Sequence, residues 1–290
     1  MKSMSKKMKI FAAVSLVCLI MPVILFFYFQ VKVMKITNTS EKIMTTILLH
    51  GNQQYDVIVD TGAASSIIYK NTLRLIEDKS NGRLVKVDYN KNYAILLKNY
   101  FHKKNIRMVY TPDLKIQTEG DGIFGIDVLK LASYAVVNYK RKRIYLSNHK
   151  PSGFKWIPAV ENEGLYCIEL YIDGEPFNCI LDTGSNLNEI YKRNTIPVSA
   201  VTTFPSTCTI YGKISKAAQK VCYIYEIKAG LNFLRRMPFY DSSSYADILF
   251  PGTWKPEVLL GTPFFNNYIV CFDFKHKQVG LKEIKQVEKK

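Results

Sequence analysis

One tripeptide occurs twice in matching surroundings, and that duplication restricts the chain more than any other feature. Residues 55–69 read YDVIVDTGAASSIIY, and residues 177–191 read FNCILDTGSNLNEIY. Ile58/Ile180, the Asp-Thr-Gly triplet, Ile68/Ile190 and Tyr69/Tyr191 coincide at a spacing of 122. Further on, GIFGIDVLKLASYAVVNYKRKRIYL (122–146) is echoed by VLLGTPFFNNYIVCFDFKHKQVGL (258–281), with Gly125 opposite Gly261. Landmarks in the same order at two places describe two copies of one structural unit. Lobe one is expected at 40–150, a linker at 151–163, lobe two at 164–283 and a short basic tail at 284–290.

Within each copy the text reads as strands. TTILLHGNQQYDVIVD is an apolar strand, a Gly-Asn turn and a second strand that ends on Asp60. YCIELYIDGEPFNCILD repeats the device, with Asp173-Gly174 as the turn and Asp182 at the end. AVVNYKRKRIYL and IVCFDFKHKQVGL each read strand, basic turn, strand, and short helical pieces are expected after Gly125 and Gly261. The expected fold is therefore mainly β, in two tandem lobes each large enough for its own core. With 48% of 290 residues hydrophobic and 22% charged, the chain is neither a disordered tail nor a small disulfide-stapled module.

From Ile10 to Phe29 no charged residue interrupts IFAAVSLVCLIMPVILFFYF. As a helix this run reaches ~30 Å, the thickness of a hydrocarbon core, so one transmembrane helix at 10–29 is expected ahead of the lobes. Lys2, Lys6, Lys7 and Lys9 precede it in a basic tail, 1–9, whereas only Lys32 and Lys35 follow before Glu41. That asymmetry places the N-terminus in the cytoplasm and the lobes on the extracytoplasmic side of a single-pass membrane protein. A cleaved signal peptide has the same charged front and is the alternative, although no small-x-small site follows in FFYFQVKVM. Asn38-Thr39-Ser40 is a sugar acceptor in a host that glycosylates exported chains.

The net charge is +16. The basic turn Lys140-Arg141-Lys142-Arg143 lies between apolar strands and reads as a solvated hairpin tip. No recognition helix, finger or aromatic platform surrounds it, so nucleic acid is not an expected partner. An anionic leaflet or wall would attract the surplus charge.

Each Asp of the repeat stands behind an apolar strand, Val57-Ile58-Val59 before Asp60 and Cys179-Ile180-Leu181 before Asp182, with a glycine two residues on. A carboxylate so placed projects from a rigid element into a cleft. Two in register with a structural repeat imply a pseudo-twofold axis between them. Like charges brought together resist joint ionisation, so the pair holds one proton over a broad acidic range. The ionised member can take a proton from a water while the protonated one donates to a substrate carbonyl. Such chemistry needs no metal or cofactor. It needs both lobes, so the chain is expected to be active as a single chain.

These segments resemble the aspartic proteases of the pepsin and retroviral type, whose paired aspartates share one proton. The resemblance rests on VDTGAAS (59–65), LDTGSN (181–186), IFG (123–125), LLG (259–261) and FDFKHKQVGL (272–281), and covers nearly all of 45–282. It implies two retropepsin-like β-barrel lobes about a pseudo-twofold axis, aspartic endopeptidase activity, and an extended peptide or protein substrate gripped by backbone hydrogen bonds. Asp60 and Asp182 are the implied catalytic pair, and Thr61 and Thr183 are implied to bond across the lobe interface. Gly62 and Gly184 are implied to bring N–H groups to the carboxylates, with Gly125 and Gly261 behind the catalytic loops. Spacings of 65 from Asp60 to Gly125 and 79 from Asp182 to Gly261 are closer to a viral protease subunit than to a pepsin lobe. Ala63 stands where the second copy has Ser185. A serine hydroxyl there could donate to a carboxylate, so its loss in the first copy implies a pH optimum less acidic than a stomach enzyme's.

A flap hairpin closing over substrate is implied as well. In lobe one the turn candidate is Asn81-Gly82, with Tyr89 and Tyr93 on the returning side. In lobe two, TCTIYGKISKAAQKVCYIY (207–225) gives strand, tip and strand, with Tyr211-Gly212 near the tip. Ordinary strand positions are the alternative for these tyrosines. Cys208 and Cys222 would face each other if that hairpin turns near Ser215, and an exported compartment would allow the disulfide. Cys179 and Cys271 sit in apolar strand text and read as core. His50, His102, His149 and His276 form no paired-ligand motif, so no metal site is expected. The alternative to an enzyme is a catalytically inactive peptide-binding or scaffold protein on the same bilobal fold, against which both Asp-Thr pairs weigh.

Overall fold

The computed structural model describes residues 31–35, 44–49, 53–69, 85–88, 93–96, 106–111, 120–172, 174–192, 201–204, 207–210, 213–216, 220–228, 234–242 and 256–284, with side chains within 56–69, 120–172, 174–192, 237–242 and 256–284. The apolar stretch 10–29, Asn38, Gly82, Tyr89, Tyr211 and Gly212 lie outside the described residues, as do 1–9 and 285–290. No helix among the described residues is long and apolar enough to cross a membrane.

The described chain is mainly β. Its first half runs β1 (Val31–Lys35), β2 (Met44–Leu49), β3 (Gln53–Val59), β4 (Ile67–Tyr69), β5 (Val85–Asp88), β6 (Tyr93–Leu96), β7 (Ile106–Thr111), β8 (Gly122–Phe124), the one-turn helix α1 (Ile126–Leu129), β9 (Tyr134–Asn138) and β10 (Arg143–Ser147). The second runs β11 (Lys155–Asn162), β12 (Leu165–Ile172), β13 (Glu175–Leu181), β14 (Glu189–Ile190), β15 (Val201–Phe204), β16 (Thr207–Ile210), β17 (Lys213–Lys216), β18 (Lys220–Lys228), β19 (Leu234–Asp241), β20 (Val258–Leu260), α2 (Thr262–Phe265), β21 (Tyr268–Asp273) and β22 (Gln278–Glu283).

One substructure occurs in both halves. β3 runs parallel to β8, which is antiparallel to β4, and β13 runs parallel to β20, which is antiparallel to β14. The registers correspond, Val59 opposite Phe124 and Leu181 opposite Leu260, each pair one residue before an aspartate. Val57, Ile58 and Val59, like Cys179, Ile180 and Leu181, are buried. A strand covered on both faces reads as a continuous apolar run, which is why alternation is missing there.

The halves share a sheet in the order β1-β10-β9-β21-β22-β11. Its centre is the antiparallel β9–β21 ladder, Val137 opposite Val270 and Tyr134 opposite Asp273. Tyr268, Val270, Phe272, Ala135, Val137 and Phe264 pack beneath it in the main core. The two basic turns match as well. Asn138 Oδ1 accepts from the Arg141 N–H at 3.0 Å, and Asp273 Oδ1 from the His276 N–H at 3.0 Å. Lys142 (φ 50°) and Lys277 (φ 51°) take the left-handed position. Lys140 to Arg143 form an exposed hairpin tip.

Two features differ from the sequence reading. The sheets do not close into barrels: β9, β10, β21 and β22 leave their halves to build the shared sheet, so the seven-stranded sheet of the first half ends on β2 and β5 as edges. The stretch 151–163 contains β11, which pairs first with β22 and then, from Ala159, with β12. Pro158, which lacks an N–H, sits where the partner changes, a tolerated place for proline in a sheet. β1, upstream of residue 40, holds the corresponding edge beside β10.

Candidate active site

Asp60 and Asp182 emerge from the ends of β3 and β13. The Asp60 N–H donates to Phe124 O and the Asp182 N–H to Leu260 O, both at 2.9 Å, so the entrance of each Asp-Thr-Gly loop is tied to the neighbouring parallel strand. Gly62 N–H donates to Asp60 Oδ1 at 2.8 Å, and Gly184 N–H to Asp182 Oδ1 at 2.7 Å. The loops also interlock. A Cβ on Gly62 would stand 2.5 Å from Asp182 Cγ, and one on Gly184 would stand 2.5 Å from Asp60 Cγ. Each glycine therefore backs onto the other triplet's carboxyl, an approach that any side chain would block.

The threonines cross beneath them. Thr61 N–H donates to Thr183 Oγ1 and Thr183 N–H to Thr61 Oγ1, each at 3.1 Å. The hydroxyls donate onward, Thr61 to Leu181 O at 2.5 Å and Thr183 to Val59 O at 2.6 Å. Both residues are buried, so four polar groups that water does not reach satisfy one another. Removing one hydroxyl strands a donor and an acceptor together.

Burial raises the Asp182 carboxyl well above the usual carboxylate range, assisted by the adjacent Asp60 charge and by the hydrogen bond between the two. The Gly184 N–H opposes the shift, and the charge of Glu189 adds to it. Glu189 is only 7% exposed. It accepts from the Tyr191 hydroxyl at 2.7 Å and the Ser242 hydroxyl at 3.1 Å.

Behind each loop lies a brace that motif reading missed. Gly125 N–H donates to Ser66 Oγ at 2.9 Å, and Gly261 N–H to Asn188 Oδ1 at 3.0 Å. A Cβ on Gly125 would meet Ala63 O at 2.5 Å, and one on Gly261 would meet Leu187 O at 2.1 Å. Outside these, Asp121 Oδ2 accepts from Asp56 N–H at 2.8 Å, and Glu257 Oε2 from Asn178 N–H at 2.9 Å. The signal was present: a polar residue six places after each Asp, and an acid four places before each second glycine.

Ser185 does not act as the sequence suggested. Its hydroxyl donates to Leu187 O at 3.0 Å and accepts from Leu187 N–H at 3.2 Å, closing a small turn inside the loop. The one hydroxyl proton is thus committed away from the carboxyl, and Ala63 lacks a brace rather than a charge-stabilising donor. The flap readings divide. β16 and β17 pair across residues 211–212, with Cys208 opposite Ser215. Cys222 stands on β18 opposite Thr202 and Tyr240. The hairpin therefore does not turn near Ser215, and the two cysteines are not cross-strand neighbours; their side chains lie outside the described residues. In the first half β5 and β6 pair across 89–92, with Tyr93 opposite Asp88, so the connection falls after Asn81-Gly82. Cys167, Cys179 and Cys271 are buried free thiols, and burial pushes Cys167 up to about 12.

No protein-family model matches the chain, and no curated protein matches it.

Proposed function

We propose that the chain is an aspartic endopeptidase of the pepsin and retroviral type, with two compact retropepsin-like lobes related by a pseudo-twofold axis. Residues 10–29 anchor it in a membrane, with the lobes on the extracytoplasmic side. The observation that carries the reading is the reciprocal packing of Gly62 and Gly184 against Asp182 and Asp60, which brings the two carboxyl groups together.

In that arrangement burial and mutual repulsion leave one proton on the pair. Burial and the neighbouring charge hold that proton well above the usual carboxylate range. The ionised member of the Asp60–Asp182 pair then takes a proton from a water lying between the two, while the protonated member donates to the carbonyl oxygen of the scissile bond. The water oxygen bonds to the carbonyl carbon, and the resulting tetrahedral diol collapses with proton transfer to the leaving nitrogen. The crossed threonines hold the carboxyl groups in place, so little reorganisation accompanies the step.

The test is cleavage of a mixed peptide library, read by mass spectrometry, with wild type, Asp60→Asn and Asp182→Asn. Both variants are expected to fold, by circular dichroism, and to lose about 10²–10⁴-fold in turnover. Turnover that survives in either one, or a wild type that binds peptides without cutting them, would overturn the proposal.

A further inference from the structure

One end of the shared sheet is marked by the paired residues Val31 and Ser147, Ser147 and Tyr134, and Tyr134 and Asp273. One residue beyond it opens a cleft of about 520 Å³, lined among others by Lys130, Ser133, Asn148, Phe274 and Lys275. Its polar wall is prearranged. Asn148 Oδ1 accepts from the N–H and the hydroxyl of Ser133, at 3.1 and 3.3 Å, which turns the Asn148 amide nitrogen into the free donor. Phe274 N–H donates to Ser133 O at 3.0 Å, fixing the ring at the opposite wall. Lys130 is engaged by Glu161. Lys275 is exposed, and no carboxylate pairs with it among the described residues. Lys150, three residues past Ser147, has its ammonium 4.4 Å from the centre of the Trp156 ring.

Chain geometry puts this end at a defined depth. Only Gln30 separates Val31 from the apolar stretch 10–29. Two residues span at most ~7 Å, and each headgroup layer of a bilayer is about 5–8 Å thick. With the stretch ending at the hydrocarbon boundary, the Val31 end of β1 stands among the headgroups whatever conformation Gln30 takes. Ser147 follows it at ~5 Å across the ladder. Lys140–Arg143, the densest basic cluster, sits at the other end of the same strands, since Arg143 pairs with Lys35. That is ~14 Å further along, beyond a Debye length of ~8 Å.

We propose that the cleft at the Val31 end of the shared sheet binds the headgroup of an anionic phospholipid, its phosphodiester held by Lys275 and the Asn148 amide and flanked by Lys150. The proposal rests on the anchored reading of 10–29 and not on peptidase activity. Trp156 with its covering lysine is the aromatic-and-basic pairing that settles at a membrane interface.

The test uses the full chain in phosphatidylcholine nanodiscs with or without about 30% phosphatidylglycerol, read by hydrogen exchange. Segments 130–133, 147–150 and 274–277 are expected to exchange about fivefold more slowly with the anionic lipid. The double variant Lys150→Gln/Lys275→Gln should abolish the slowing, and the triple variant Lys140→Gln/Arg141→Gln/Lys142→Gln should leave it intact. Equal exchange in the two lipids, or the reverse ranking of the variants, would overturn the proposal. Slowing by inorganic phosphate in detergent but not by phosphatidylglycerol would assign the cleft to a free anion and overturn the lipid. A chain that alkali strips from vesicles would bring down the anchor and the headgroup site together. Peptide cleavage enters none of these readouts, so its presence or absence is settled separately.

Discussion

Ser66 and Asn188 occupy the same place in the two halves, and each offers an oxygen to the amide of the glycine behind its Asp-Thr-Gly loop. Ser66 does so with a hydroxyl whose proton goes to Asp127 Oδ1 at 2.6 Å. Asn188 does so with its carbonyl oxygen, while its amide nitrogen donates to Pro238 O at 3.1 Å. Asp127 also receives the Ser66 N–H at 2.9 Å, and its counterpart in the second half is Pro263, which can do neither. The first loop is thus pinned to α1 by a carboxylate, and the second to β19 by an amide. What recurs is the demand of one buried N–H for an acceptor, and different side chains meet it. The triplets and the glycines tolerate no such exchange, because there the constraint is space.

Replacing Gly62 or Gly184 by Ala tests that distinction most severely. Each Cβ would meet a carboxyl carbon at 2.5 Å, so both variants should lose about 10³-fold or more in peptide turnover, equally in the two halves. A tolerated alanine in one half would break the reciprocity. Next come Thr61→Val and Thr183→Val, each expected to cost about 2–4 kcal/mol in urea unfolding because a buried donor and acceptor lose their partner. Ser66→Ala and Asn188→Ala should each cost about 1–3 kcal/mol in the same measurement, because either change leaves the buried glycine N–H without its acceptor.

A pH-dependent comparison follows. The folded state holds the Asp182 proton more tightly than the unfolded chain, whose carboxyl titrates near 3.8. The stability this contributes is complete below that value and falls as pH rises through the raised one. Asp182→Asn should therefore melt a few degrees above wild type at neutral pH, the shift that about 1–2 kcal/mol makes in a chain of this size, and converge with it near pH 4. Scanning calorimetry at both pH values decides it. The smallest effect belongs to Ala63→Ser. Because the Ser185 hydroxyl braces Leu187 rather than a carboxyl, the acidic limb of the activity profile should stay where it is.

The repeat made much of this legible. Buried strands leading into Asp60 and Asp182 were readable because burial of both faces demands unbroken apolar text. β11 was not, because Pro158 and the polar residues around it describe a strand changing partners, which looks like a connector. β1 was hidden by its place beside the apolar stretch and by lying outside the aligned copies. Ser66 and Asn188 escaped because residue identity does not repeat where hydrogen-bonding capacity does. The Ser185 expectation failed for a local reason: a hydroxyl has one proton, and the Leu187 carbonyl two residues on takes it.

The central ladder of the shared sheet carries a consequence for how the protein is made. β9 pairs at once with β10 but lacks its second neighbour until Tyr268–Asp273 has been translated, and the Asp182 N–H has no acceptor until Leu260 exists. The first triplet thus waits 122 residues for the second, and the second waits a further 78 for Leu260. Ribosome-arrested chains stopped before Val258 should be digested readily by an added protease, whereas chains released at full length should resist. Synthesis of residues 258–273 thus acts as the fastening step: a growing polypeptide that carries both acids but lacks this segment has not yet secured them against each other.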